Sequence, residues 1–151
     1  MSTYETIVLD INEHTAILKL NRPEKRNALS PTMLSEIAEA CKTLNENDQI
    51  RFVLVEGAGK AFSVGFDLKS FAALGMDASS APEDMLKQSA LLGAEAIAAI
   101  KNLKAITIAA VHGYAIGGGF LILAACDFRI ADKDTVFSLP EVDIGIPLLW
   151  D

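Results

Sequence analysis

Two glycine-bearing turns carry the residues whose types and spacing could do chemistry. The first glycine turn spans residues 57–68, with the sequence GAGKAFSVGFDL, and the second spans residues 112–121, with HGYAIGGGFL. Each follows a short apolar run that is typical of a strand. A glycine-rich turn at a strand end directs backbone N–H groups into open space, because glycine permits close approach of a ligand. Two such turns can donate two hydrogen bonds to one oxygen, which predicts an oxyanion hole and chemistry at a carbonyl.

The elements that must position these turns alternate between strand and helix. Apolar runs at residues 6–10 and 16–21 flank a polar turn and predict a hairpin. Ser30 followed by Pro31 predicts a helix start, because serine caps helices and proline suits the first helical position. Further predicted elements are strands over 52–55, 105–111, 128–131 and 136–138, and helices over 82–102 and 117–125. This alternation indicates one α/β domain over residues 1–151.

The composition is that of a globular chain with net negative charge. Of 151 residues, 51% are apolar and 22% charged, which argues against disorder. The formal net charge of −7 argues against non-specific nucleic-acid binding, which needs a basic face. Cys41 and Cys126 lie in apolar patterns typical of reduced core residues, rather than of a disulfide or a metal site. Residues 1–6 lack the features of an export signal, so we expect a cytoplasmic protein.

Three other stretches need an interpretation. Residues 105–126 carry no charged side chain and could span a membrane by length, but glycines interrupt them. We therefore predict a strand, a turn and a buried helix there, and no membrane span. Residues 70–81 predict a mobile loop. Residues 144–151 (IGIPLLWD) form a largely apolar run. That apolar end leads us to expect that further chain or a partner covers it.

Five motifs that occur in order give the most specific signal. They are NRPEKRNAL (residues 21–29), AFSVGFDL (61–68), GYAIGGG (113–119), CDFRIA (126–131) and PEVDIG (140–145). Together they resemble the crotonase superfamily, also called the enoyl-CoA hydratase/isomerase family, over essentially the whole chain. The resemblance implies a spiral of ββα units that binds acyl-CoA thioesters, with coenzyme A as part of the substrate and no other cofactor or metal. It also implies a homo-oligomer, a trimer or a dimer of trimers, built with C-terminal helices that we expect to be missing here.

The resemblance places the two oxyanion donors on the backbone N–H groups of Val64 and Gly118. Gly118 also opens a predicted helix, so its N–H lacks an intrahelical acceptor and the helix dipole favours negative charge there. Phe66 is bulkier than the alanine or glycine usual at its position, and we expect it to narrow the acyl pocket.

The resemblance further implies substrate contacts, made mostly by the backbone of the two turns. The candidates are Ala28, Ser63, Gly65, Phe66, Asp67, Leu68, Gly117 and Leu121. Lys25, Arg26 and Lys60 are candidate partners for the CoA phosphates, with a solvated surface loop as the alternative for each. Capping of the next turn is the alternative role for Asp67, and a structural hydrogen bond is the favoured role for His112.

The proton-handling positions decide the reaction. Family hydratases use two glutamates, and one of these positions holds Glu141 whereas the other holds Leu121. Leucine cannot take a proton from water, so the resemblance favours isomerisation of an enoyl-CoA over hydration. Glu141 would then move a proton from one carbon to another while the oxyanion hole stabilises the enolate. The alternatives are a hydrolase or lyase of the same superfamily, a non-catalytic acyl-CoA-binding or assembly subunit, and a truncated product.

Overall fold

A five-stranded sheet forms the first layer of the computed structural model, which describes residues 4–67, 69 and 82–143. The strands in chain order are β1 (Ile7–Asn12), β2 (Thr15–Leu20), β3 (Phe52–Gly57), β4 (Ile106–Val111), β5 (Tyr114–Ile116), β6 (Phe128–Ala131) and β7 (Val136–Ser138). The large sheet has the order β1-β2-β3-β4-β6. β1 and β2 form the predicted antiparallel hairpin, and the other neighbours pair in parallel. The α/β class is confirmed.

The helices are α1 (Pro31–Asn45), α2 (Pro82–Lys101), α3 (Gly118–Ala125) and the short α4 (Pro140–Asp143). A 3-10 turn at Pro23–Lys25 precedes α1. The predicted start of α1 is confirmed, because the Ser30 hydroxyl accepts a hydrogen bond from the Met33 N–H at 3.2 Å and Pro31 is the first helical residue. The predicted helix over 82–102 corresponds to α2.

The core lies between one face of the large sheet and the helices. Its fully buried side chains include Leu18, Val53 and Val55 from the sheet and Ile37 from α1. The opposite sheet face is less covered, since Phe52 is 44% exposed and pairs with Ile106, which is also exposed. Within the described residues, β3 therefore buries Val53 and Val55 on one face and leaves Phe52 exposed on the other.

A second, smaller sheet contains the two glycine turns. β5 and β7 pair in parallel, and isolated parallel bridges join Ser63 to Ala115 and Leu29 to Phe66. The first glycine turn thus lies between the Leu29 segment and β5. The sequence analysis missed β5, because three residues between two glycines carry no alternating pattern.

The uncharged stretch of residues 105–126 contains β4 and α3, the predicted strand and helix, and β5 lies where a turn was predicted. Among the residues that the structure describes, no helix is long and apolar enough to cross a membrane. Cys41 and Cys126 are buried and unbonded to one another, in keeping with their predicted core role. The loop predicted at 70–81 and the apolar residues after 143 lie outside the described residues.

Candidate active site

Ser63 anchors the first glycine turn on β5. Its N–H donates to the Tyr114 carbonyl, and its own carbonyl accepts from the Ile116 N–H, each at 3.0 Å. The Ser63 side chain is completely buried, and its hydroxyl donates to the Asn27 carbonyl at 2.8 Å. The prediction that Ser63 contacts substrate is therefore wrong, because neither its surface nor its hydroxyl is open to a ligand.

The Val64 amide faces away from the second glycine turn. In a trans peptide, the N–H points opposite to the carbonyl of the preceding residue, and the Ser63 carbonyl is directed at Ile116. The Val64 N–H accordingly donates to the Arg26 carbonyl, at 3.2 Å. This geometry does not support Val64 as an oxyanion donor, and that prediction needs correction.

Gly65 reverses the chain and redirects the next amide. Its φ of +85° is one that glycine adopts readily, and its carbonyl accepts a hydrogen bond from the Leu29 N–H at 2.7 Å. The Phe66 N–H shares that peptide plane and no peptide bond of the described chain is cis, so it points away from Leu29. A Cβ atom added to Gly65 would lie 3.4 Å from the Gly118 nitrogen. The two glycine turns therefore meet at Gly65.

The second glycine turn ends in the start of α3. Gly117 is the N-cap with a φ of +51°, and its N–H donates to the Ser138 carbonyl at 2.9 Å. Gly118 is the first helical residue, as predicted. An N–H at this position has no acceptor within its own helix and lies at the positive end of the helix dipole.

Glu141 brings a carboxylate against this turn. A Cβ atom added to Gly117 would lie 2.3 Å from the Glu141 Oε1 atom, so the carboxylate packs directly on the Gly117 backbone. The Oε2 atom of Glu141 is buried and has no hydrogen-bond partner among the described residues. Such an atom is costly to bury without a partner, which is typical of a functional group awaiting a ligand.

Leu121 and Phe120 add apolar surface to the first turn of α3. The Leu121 N–H donates to the Gly117 carbonyl at 3.1 Å, which places Leu121 one helical turn above Gly117. Residues four apart share a helix face, and their side chains lean toward the N-terminus. Phe120 stacks edge-on against Phe137 with ring centroids 6.1 Å apart. Both residues pack against the core as half-buried side chains.

A buried polar network holds the first glycine turn in place, and the sequence analysis did not find it. Arg22 donates to the Asp67 carboxylate at 2.9 Å, and both side chains are buried. The Asn27 amide accepts from the Arg22 N–H and donates to the carbonyls of Ala58 and Ala61. Its φ of +55° is one that asparagine tolerates. The Asp67 carboxylate is therefore a partner of Arg22, a role that neither predicted alternative included.

The remaining candidates lie around this network. Ala28 is half-buried, and the side chains of Lys25, Arg26 and Lys60 are exposed, which fits either predicted alternative for these cations. Leu68 lies outside the described residues. The predicted structural role of His112 is confirmed, because a ring nitrogen lies 2.9 Å from the Gly59 carbonyl.

Comparison with known proteins decides the family. Residues 10–148 match the family model described as enoyl-CoA hydratase/isomerase. The chain belongs to the enoyl-CoA hydratase/isomerase family. All five motifs that carried the resemblance lie within this matched range.

Family relatives resemble the chain in sequence and in fold. Hydroxycinnamoyl-CoA hydratase-lyase of Pseudomonas fluorescens is 36% identical over 97% of this chain and 54% of its own length. The peroxisomal Δ3,5-Δ2,4-dienoyl-CoA isomerase of Arabidopsis thaliana is 34% identical over 97% of this chain and 55% of its own. An enoyl-CoA hydratase/isomerase family protein from Hyphomonas neptunium superposes with a TM-score of 0.83 at 33% identity, over 95% of this chain and 53% of that one. The crotonase fold is thereby confirmed, and the chain spans about half the length of these family members.

Proposed function

We propose that this chain stabilises the enolate of an acyl-CoA thioester in a backbone oxyanion hole and favours isomerisation of enoyl-CoA. The observation that carries this proposal is the Glu141 carboxylate, which packs on Gly117 with one buried, unpartnered oxygen. A base in that position lies beside the first amide of α3. Relatives named as a hydratase-lyase and a dienoyl-CoA isomerase support acyl-CoA chemistry of this kind.

We assign the two donors to the N–H groups of Gly118 and Phe66. Gly118 is supported by its place at the helix start. Phe66 replaces Val64 in this assignment, because the Phe66 N–H points away from Leu29 and its neighbour Gly65 lies against Gly118. Two amides directed at a thioester oxygen make the adjacent carbon more acidic, and each such donor contributes about 3 kcal/mol to lowering a barrier.

Glu141 is the proton carrier in this mechanism. The carboxylate takes a proton from the carbon next to the thioester carbonyl of a 3-enoyl-CoA, and the electron pair delocalises onto the oxygen in the hole. The same carboxylic acid then returns the proton to the fourth carbon, which leaves the double bond between the second and third carbons. One carboxylate suffices for this transfer. Leu121, one turn above Gly117, offers no second group that could activate water.

Binding of acyl-CoA without turnover is the second candidate function. Lys25, Arg26 and Lys60 are exposed near the first glycine turn and remain the proposed partners of the CoA phosphates.

Turnover assays separate these candidates. Purified protein is given 3-enoyl-CoA and, separately, 2-enoyl-CoA, and both are repeated with Glu141→Gln, which keeps the size of the side chain. We expect faster isomerisation than hydration, and a loss of about 100-fold or more in kcat in the Gln variant, as is typical for removal of a general base. Faster hydration would contradict the isomerase preference. Acyl-CoA binding with no turnover of either substrate would favour the second candidate.

A further inference from the structure

The Ser63 side chain is hydrogen-bonded within the first glycine turn and packs on the second. Its hydroxyl accepts a hydrogen bond from the Gly65 N–H at 3.2 Å and donates to the Asn27 carbonyl at 2.8 Å. A Cβ atom added to Gly119 would lie 2.7 Å from the Ser63 Cβ. Ser63 therefore packs directly on the residue that follows Gly118.

We propose that Ser63 is a positioning residue that sets the direction and the spacing of the two oxyanion donors. This inference rests on the proposed function above. The Ser63 hydroxyl fixes the N–H of Gly65, and the Leu29 N–H fixes its carbonyl. Since the Phe66 N–H shares a plane with the Gly65 carbonyl, both contacts together fix the direction of that donor.

The hydroxyl is needed because Gly65 is intrinsically permissive. Glycine populates many backbone conformations, so a φ of +85° is retained only where neighbouring groups hold it. Without the hydroxyl, the Gly65 N–H loses its acceptor and the turn gains alternative conformations. A larger side chain at residue 63 would instead push Gly119, and with it Gly118, away from the first turn.

Ser63→Ala tests the role, with Ser63→Cys as a milder second variant. We expect kcat for enoyl-CoA to fall about 10- to 100-fold in Ser63→Ala, as for a misplaced catalytic group, with KM within about twofold. The kcat of Ser63→Cys should lie between the values for Ser63→Ala and the natural protein, since a thiol forms only weak hydrogen bonds. Ser30→Ala is the matched control, because it removes another buried serine hydroxyl, one that accepts from the Met33 N–H and caps α1.

Infrared spectroscopy of a bound thioester with a 13C-labelled carbonyl gives a second readout. This readout would not change in Ser63→Ala if Ser63 had a purely structural role. The carbonyl band should shift to lower frequency in the natural protein and in Ser30→Ala, and shift less in Ser63→Ala. An unchanged band and kcat in Ser63→Ala, with only a loss of stability like that of Ser30→Ala, would overturn the positioning role. No shift and no turnover in the natural protein would overturn the proposed function itself.

Discussion

At the scale of single residues, the contact between Gly117 and Glu141 defines the site most sharply. The carboxylate occupies the space where a side chain at residue 117 would lie. Gly117 also has a φ of +51°, which other residues rarely adopt. Glycine is thus required at residue 117 for two reasons. Its positive φ disfavours other residues, and a Cβ atom there would clash with the Glu141 carboxylate.

Gly117→Ala should displace the Glu141 carboxylate. We expect a loss of about 1–3 kcal/mol in the free energy of unfolding from backbone strain. We expect a fall of at least about tenfold in kcat, because the base leaves its position. Chemical denaturation and steady-state kinetics measure the two effects.

A double-mutant cycle shows whether the effect acts through Glu141. In a Glu141→Gln background the base is already absent, so Gly117→Ala should change the residual kcat by less than about twofold. An undiminished effect in that background would show that Gly117 acts on the donors instead.

The assignment of Phe66 in place of Val64 shows what the sequence could not predict at this scale. The motif located the turn, but the direction of each amide depends on distant carbonyl partners. Ser63 bonds to β5 and Gly65 bonds to Leu29, which lies 36 positions earlier in the chain. No local pattern encodes which side of the turn each of these segments occupies.

At the scale of elements, local signals sufficed where one residue type fixes the structure. Ser30 and Pro31 predicted the start of α1 because a cap and its proline act within one turn. The boundaries of β6 and β7 agreed with their apolar runs. The short β5 and the network of Arg22 and Asn27 were missed, because their partners come from other segments.

The ion pair between Arg22 and Asp67 joins the segment before α1 to the first glycine turn. Both side chains are buried, so Arg22→Met should leave the Asp67 carboxylate without its guanidinium partner. Breaking a buried pair in this way typically costs about 3–5 kcal/mol, which urea denaturation would measure. The double variant Arg22→Met/Asp67→Leu should recover part of the loss, since neither charge remains buried. A loss below about 1 kcal/mol in the single variant would contradict a structural role for the pair.

At the scale of the whole molecule, the core is closed on one side and less covered on the other. Phe128 and Ile130 of β6 are 59% and 68% exposed. The helical side instead buries Cys41 and Cys126, which are 1% and 2% exposed. These thiols report on the integrity of the core, because each lies where the helices meet the sheet.

The two thiols predict a loss of stability at alkaline pH. Burial raises the pKa of the Cys41 thiol to about 12, with a smaller contribution from Cys126. Burial likewise raises the pKa of the Cys126 thiol to about 12, although Arg129 opposes the shift. Between about pH 9 and pH 12 the unfolded chain releases these protons while the folded chain keeps them. Folding stability, fully present below about pH 9, should therefore fall as the pH rises, by at most about 1.4 kcal/mol per unit for each thiol.

Denaturation at several alkaline pH values measures this slope, and the variant Cys41→Ala/Cys126→Ala is its control. The variant is less stable at neutral pH because it loses packing, but its stability should fall less steeply above pH 9. Lysine and tyrosine titration is common to both proteins and cancels in the difference between slopes. Equal slopes would mean that the thiols ionise as readily in the folded chain as in the unfolded one, which would require water to reach the core between α1 and the end of α3.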